Sequence, residues 1–343
     1  MKEELLLAIP LVLGACLAPL THAAEPIPVT VDNFIRAESD LYFGGMLRDS
    51  GGAMGTFSHR REPADINKQT VIRLNRDTLY SSALFDLDAG PVTITLPDAG
   101  KRFMSMMIVN QDHYVLEVTY EPGKHVVERG KVGTRYAVVG LRTLVDPADP
   151  EDLKAVHALQ DGVKVEQPDG PGKFEVPAWD AASQKKVRDA LLVLSSTTTG
   201  FKRAFGTKDQ VDPVYHLMGT AAGWGGNPDK DATYLNFTPA KNDGTTPYKV
   251  VVKDVPVDAF WSISVYNKEG YFEKNGENSY SVNNLTAKKA ADGSVTVLFG
   301  GKADEAANHI PITPGWNYTV RLYRPRKEIL DGTWKFPEPQ PVE

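Results

Sequence analysis

Between Val71 and Leu141 apolar and polar positions alternate with a period of two. Val92, Ile94 and Leu96 bracket Thr93 and Thr95, the pattern of a strand with one core face and one wet face. Phe103, Met107 and Val109 interleave with Met104, Met106 and Ile108, which predicts a strand buried on both faces. Leu116, Val118 and Tyr120 continue the run, as does Tyr136 to Val139. The turn clusters Pro97-Asp98-Ala99-Gly100 and Glu121-Pro122-Gly123-Lys124 separate these runs as antiparallel connections do. From Tyr215 onward the same period returns. Trp261, Ile263 and Val265 oppose Ser262, Ser264 and Tyr266, while Trp316, Tyr318, Val320 and Leu322 oppose Asn317, Thr319, Arg321 and Tyr323. Val295, Val297 and Phe299 mark a third such strand.

Helical spacing occupies the intervals. Asp32-Asn33 is a capping signal ahead of a helix over Phe34 to Leu47, and Asp149-Pro150 opens a short helix to Leu159. Ala181 to Ser195 places Val187, Leu191 and Leu194 on one face. The Gly/Pro-rich stretch from Gln167 to Pro177 reads as a linker. The expected architecture is mainly β, with two antiparallel β-sandwich or jelly-roll-like domains joined by a short helical middle segment. An N-terminal β domain with an initial helix spans 27–165, the linker and helical segment 166–212, and a C-terminal β-sandwich 213–343.

The first residues change the picture of location. Lys2 precedes an apolar run from Leu5 to Leu20, and Thr21-His22-Ala23 follows with small residues where a signal peptidase cuts. Residues 1–23 therefore read as a signal peptide, with Glu3 and Glu4 an atypical start, and the mature chain as periplasmic or secreted. The single cysteine, Cys16, lies within Leu13-Gly14-Ala15-Cys16, which is also the outline of a lipobox and would make the protein a lipoprotein anchored there. Cleavage after Ala23 would leave no thiol for disulfides, catalysis or metal binding. No later run reaches the about 18 apolar residues of a membrane span. A net charge of −6 over 343 residues, without basic–aromatic blocks, speaks against nucleic acid.

Familiar catalytic signatures are missing: no G-x-S-x-G, H-E-x-x-H, P-loop or G-x-G-x-x-G opening a helix. What remains is scattered chemistry. Asn75-Arg76-Asp77-Thr78-Leu79-Tyr80 sets an amide, a guanidinium, a carboxylate and a phenol at a strand end. Arg76 there suits an anion, Asp77 a base and Tyr80 a proton donor; the structural alternative is a buried Arg76–Asp77 pair beside a turn. His113, in Asp112-His113-Tyr114 at a turn, is a second candidate base. Asp112 should not orient it, since neighbours on a strand diverge. No two histidines have a close ligand spacing, so no metal site is assigned, and no cofactor is indicated. Four of five tryptophans and eight of thirteen tyrosines fall in the C-terminal half. Trp261 and Trp316 belong to the core by parity, whereas Tyr266, Tyr271, Tyr280 and Asn267 fit a ligand-binding surface of sugar-platform character. Arg321, on the non-core face, suits an anion or a cross-strand carboxylate.

Several longer strings carry a resemblance. Asn75 to Ser81, Asp86-Leu87 before Gly90-Pro91, and Arg142-Thr143-Leu144-Val145-Asp146 resemble the N-terminal half of a tandem family of exported proteins of unknown function. Gly223-Trp224-Gly225-Gly226-Asn227-Pro228, Val257 to Tyr266, Tyr280 to Asn284 and Gly315 to Pro325 resemble its C-terminal half. The halves are the domains of unknown function numbered twelve-fifty-four and twelve-fourteen. The resemblance implies a β-sandwich or jelly-roll-like fold in each half and brings no activity. His309, in Asn308-His309-Ile310-Pro311, departs from the apolar or cysteine residue that pattern leads one to expect. Two functions are compatible with these residues. One is a hydrolase or lyase acting on a small molecule or glycan at an inter-domain site. The other is a non-catalytic exported ligand-binding or interaction protein. Neither fixes an oligomeric state.

Overall fold

The computed structural model describes residues 25–69, 72–198, 200–302 and 308–342; residues 1–23, read above as a signal peptide, and Cys16 among them, lie outside these. The N-terminal half is built on a five-stranded antiparallel sheet, in the order β1 (Ser58–His59), β2 (Thr78–Asp86), β7 (Tyr136–Leu144), β4 (Met104–Asn110) and β5 (Val115–Thr119). Against one face packs a three-stranded sheet of β6 (Gly123–Val127), β3 (Val92–Leu96) and β8 (Lys164–Glu166). Phe85, Ile94, Met106, Ile108, Val127 and Val139 fill the space between them. A one-turn helix, α2 (Arg129–Val132), follows β6. All seven residues of β4 are buried, as its two-sided apolar pattern requires. Met106 and Ile108 face the sandwich core, while Met107 and Val109 face the opposite layer.

The C-terminal half is a second sandwich. The sheet β12 (Ser281–Asn283), β11 (Trp261–Tyr266), β15 (Asn317–Tyr323), β9 (Ala232–Phe237) faces the sheet β14 (Asn308–Ile310), β13 (Val295–Phe299), β10 (Tyr248–Val252), β16 (Gln340–Pro341). Trp261, Ile263, Val297, Trp316 and Val320 form its core. The strand pairs are antiparallel except β13 with β14. A short helix, α6 (Lys327–Leu330), follows β15.

Four helices complete the fold. α1 (Phe34–Asp49), α4 (Ala181–Ser195) and α5 (Pro213–Gly223) share a core of Phe34, Ala37, Leu191, Met218 and Ala221. α3 (Pro150–Asp161) covers Leu79 and Val145 through Val156. α1 lays Phe43 on Leu84, Tyr136 and Val138, covering one end of the outer face of the five-stranded sheet.

Four local expectations differ. Asn33 does not cap α1; its Oδ1 accepts from the Thr30 N–H instead. Leu194 lies outside the buried face of α4, 49% exposed, because only Leu191 and Val187 turn toward α1 and α5. Residues from Tyr215 to Gly223 are helix rather than strand, started by Asp212 accepting from the Val214 and Tyr215 N–H groups. The 167–177 stretch is pinned to the sheet, with Gln167 donating to the Asp86 carbonyl and the Glu175 N–H donating to the Tyr136 hydroxyl.

Candidate functional site

The non-core faces of β11, β15 and β9 abut the end of the five-stranded sheet, and this junction collects the polar groups of the Asn75–Tyr80 segment. Arg76 and Asp77 do not pair, because adjacent residues of an extended segment point apart. Asp77 is buried beneath the C-terminal sheet and accepts from Ser262 Oγ at 2.6 Å. Burial pushes its carboxyl above the usual range, while Arg321, Ser262 and Asn283 pull it back. Arg76 instead donates to the Ala64 carbonyl and lies 5.6 Å from the Tyr280 ring centre.

Arg321 stands on the non-core face, yet only 3% of it is exposed. Its guanidinium donates to Ser264 Oγ at 2.8 Å, to the Tyr266 hydroxyl at 2.6 Å and to the carbonyls of Arg73 and Leu74 at 2.8 and 3.2 Å. It ties one half of the molecule to the other. Tyr266 donates onward to the Leu74 carbonyl and packs with Phe272 and Tyr280 against Ile66 and Leu74. Tyr266 and Tyr280 are therefore packed, buried rings rather than an open sugar platform; with Asn275 and Ser279 they line a groove holding little more than a water molecule. Asn267 shapes the turn ahead of Tyr271 by accepting from its N–H at 2.9 Å. Tyr271 itself is half-buried.

His113 lies apart from these residues, on the far side of the sheet's outer face. It is fully buried, and Asp112 turns away to Arg36 at 3.0 Å. Its Nδ1 meets Thr220 Oγ1 at 2.8 Å, and that hydroxyl already donates to the His216 carbonyl. Nδ1 must therefore carry the proton, leaving Nε2 to accept from the Gly225 N–H at 2.8 Å. Burial, with His216 beside it, holds its pKa well below the ordinary value. His113 is a neutral strut for the 224–227 loop. His309 likewise bridges, between Glu277 Oε2 at 2.7 Å and the Gly300 carbonyl.

That loop leads to a group the sequence reading passed over. Arg142, on β7 opposite Tyr80 of β2, donates to the Gly225 carbonyl at 2.9 Å and to Asn227 Oδ1 at 3.3 Å. Its guanidinium lies 5.6 Å from the Tyr80 ring centre. Asn227 in turn donates to the Tyr234 hydroxyl at 2.9 Å, and Asn75 donates to both the Tyr80 and Tyr323 hydroxyls at 3.1 Å. Tyr323 is buried, which keeps its phenol well above its ordinary pKa and so neutral. No carboxylate is among the partners of Arg142.

Around Arg142 the sheet is only partly covered. Its outer face is closed at one end by α1, over Leu84 and Val138, and at the other by the C-terminal half, where Leu144 packs on Phe260 and Tyr323. Between these covers Tyr80, Ser82, Gly140 and Arg142 are each only half-buried. Tyr234 stands at the rim, 38% exposed, with its hydroxyl turned inward to Asn227. Trp224 forms a wall, its ring stacked with both Tyr42 and His113, ring centres 4.7 and 5.1 Å away. The signal for this opening was present in Tyr136–Leu144, where a glycine and an arginine occupy alternate positions of an otherwise apolar strand. Among the described residues no group of three His, Cys, Asp or Glu side chains converges to hold a metal ion. No helix there is long and apolar enough to cross a membrane.

The comparisons with known proteins agree with this architecture. The chain is similar to the VPA0106 protein from Vibrio parahaemolyticus, with a TM-score of 0.71 at 17% identity, over 91% of this chain and 98% of that one. It is also similar to an uncharacterized protein from Burkholderia cenocepacia, with a TM-score of 0.52 at 12% identity, over 91% and 95% of the two chains. These likenesses carry the fold alone. No curated protein matches. Residues 54–167 match the DUF1254 family and residues 233–327 the DUF1214 family, each described as a protein of unknown function. With both domains in that order, the chain belongs to the tandem DUF1254–DUF1214 family.

Proposed function

We propose that the protein binds a small anionic molecule in the opening between its two halves, with Arg142 as the cation that holds it. One observation carries this reading: a half-buried arginine whose guanidinium has a carbonyl, an amide oxygen, a thioether and the Tyr80 hydroxyl as hydrogen-bond partners, with no carboxylate among them. Desolvating an unpaired cation is unfavourable. A carboxylate or phosphate meeting the guanidinium, with Tyr80 and Tyr234 beside it, would relieve that penalty with charge-assisted hydrogen bonds. The non-catalytic form is favoured because both nitrogens of His113 are engaged and Asp77 is sealed under Ser262. A hydrolase or lyase acting on the same ligand would have Tyr80 as its proton donor, the phenol beside Arg142.

Thermal-shift and calorimetric titrations with acetate, benzoate, phosphate and sulfate test the binding. At least one anion should raise the melting temperature, and Arg142→Gln should weaken it by roughly tenfold or more. Unchanged affinity in Arg142→Gln would refute the assignment. The apolar run ending at Thr21-His22-Ala23 supports action outside the cytoplasm. Intact-mass measurement of exported protein should then give Ala24 as the first residue, and a lipidated Cys16 would contradict it.

A further inference from the structure

Three phenols gather around Arg142, and their hydrogen bonds decide where their protons can go. Asn75 Oδ1 accepts from the Asp77 N–H at 2.9 Å, which turns the Asn75 amino group toward Tyr80 and Tyr323. Both hydroxyl oxygens are therefore acceptors, each at 3.1 Å. Asn227 is oriented in the same way: its Oδ1 accepts from Arg142, and its Nδ2 donates to the Tyr234 hydroxyl. Tyr266 shows the complete pattern for a buried phenol, accepting from Arg321 and donating to the Leu74 carbonyl. Tyr80, Tyr234 and Tyr323 have only its first half, since none of the described residues accepts their protons. Burial keeps the Tyr234 and Tyr323 phenols above their ordinary pKa, so both retain a proton to give.

The acceptors close by are already engaged: Asn227 Oδ1 and the Gly225 carbonyl by Arg142, Asn75 Oδ1 by the Asp77 N–H. Room lies alongside, because a β-carbon on Gly140, two residues from Arg142 on the same face, would meet nothing within 4 Å. Such a cluster offers protons and few lone pairs. We propose that Tyr80, Tyr234 and Tyr323 join Arg142 as donors to a fully deprotonated oxyanion, a carboxylate or a sulfur oxyanion, and that the site rejects an oxyanion carrying its own proton. This rests on the anion reading above and adds the groups that choose among anions. The P–O–H of hydrogen phosphate would be set among donors and left unpaired, which is the stronger form of discrimination. Ser82, opposite Gly140 and two residues along β2 from Tyr80, is the hydroxyl on this stretch that could still accept it.

Calorimetric titration of the full chain at about pH 8, where phosphate is chiefly the hydrogen phosphate dianion, tests this with sulfate, methanesulfonate, acetate and phosphate. Sulfate and hydrogen phosphate share shape and charge, yet sulfate should bind tighter by roughly tenfold or more. Tyr234→Phe, at the rim, should keep the melting temperature, weaken sulfate by roughly fivefold or more and narrow its lead over phosphate. Tyr80→Phe and Tyr323→Phe should act in the same direction, whereas Ser82→Ala should not narrow that lead. Arg142→Gln should weaken every probe. Acetate as the tightest probe would assign a carboxylate, and sulfate or methanesulfonate a sulfur oxyanion; either assignment requires phosphate to be the weakest. Phosphate binding as tightly as the best of the others would overturn the proposal. So would wild-type affinity in all three phenylalanine variants, since the hydroxyls would then serve only water. In both cases the anion reading stands if Arg142→Gln still weakens binding; if no anion binds at all, both readings fall.

Discussion

His113 holds a φ of 61°, in the region non-glycine residues seldom adopt, between Thr220 on one ring nitrogen and the Gly225 N–H on the other. Both contacts require the neutral ring, so the fold refuses the proton that an exposed histidine accepts. The unfolded chain binds that proton near pH 6.5, and the folded chain only well below it. The contribution is therefore complete above the unfolded value. It declines as pH falls through that value, by up to about 1.4 kcal/mol per pH unit. Urea unfolding at about pH 7.5 and about pH 5.5 should show a steeper loss in wild type than in His113→Asn. Equal losses would mean that another group is responsible. At this scale the sequence was informative about residue types and much less about partners. Arg76 and Asp77 are neighbours in the chain, yet Asp77 answers to Ser262 and Arg321, far along the sequence. Arg142 and Gly140 stood in plain view, but alternation tells which face a residue is on, not whether that face is covered.

Elements were more legible, and for a physical reason: their signals are local. α4 begins and ends where its pattern indicated, because Asp180 accepts from the Ser183 N–H and an apolar stripe follows. β11 and β15 put Trp261 and Trp316 in the core, as their parity implied. α5 escaped because it is buried on several sides, with His216, Met218, Gly219, Thr220 and Ala221 all inside. Such a helix shows no amphipathic period; Asp212-Pro213, a helix start, was the available clue. The division of labour between strand and turn can be measured. Trp261 is 5% exposed within the C-terminal core, so Trp261→Ala should lose about 3–5 kcal/mol of stability. Tyr271, at a turn whose shape depends on Asn267 and backbone bonds, should lose much less on truncation, within roughly 1 kcal/mol. Comparable losses in chemical denaturation would show that the turn is part of the core.

In the whole molecule the two sandwiches are joined by buried polar contacts rather than by a flexible tether. Ser262 donates to Asp77, Arg321 to the carbonyls of Arg73 and Leu74, and Tyr266 to Leu74, while Phe103 packs edge-on against Phe260. Separating the halves would leave Arg321 and Asp77 without these partners, each a buried group costly to strand. Scanning calorimetry should accordingly record one cooperative transition with matching calorimetric and van't Hoff enthalpies. Two resolved transitions would show that each sandwich melts by itself.

The same fastening limits how far ligand binding, as proposed above, could reshape the molecule. With Arg321 and Asp77 bonded across the junction, swinging one half away from the other would strand both. Small-angle scattering of the protein with and without the anion proposed above should therefore give the same radius of gyration. A ligand held on Arg142 as proposed would then alter the rim, where Tyr234 is exposed and its hydroxyl meets Asn227, rather than the arrangement of the halves.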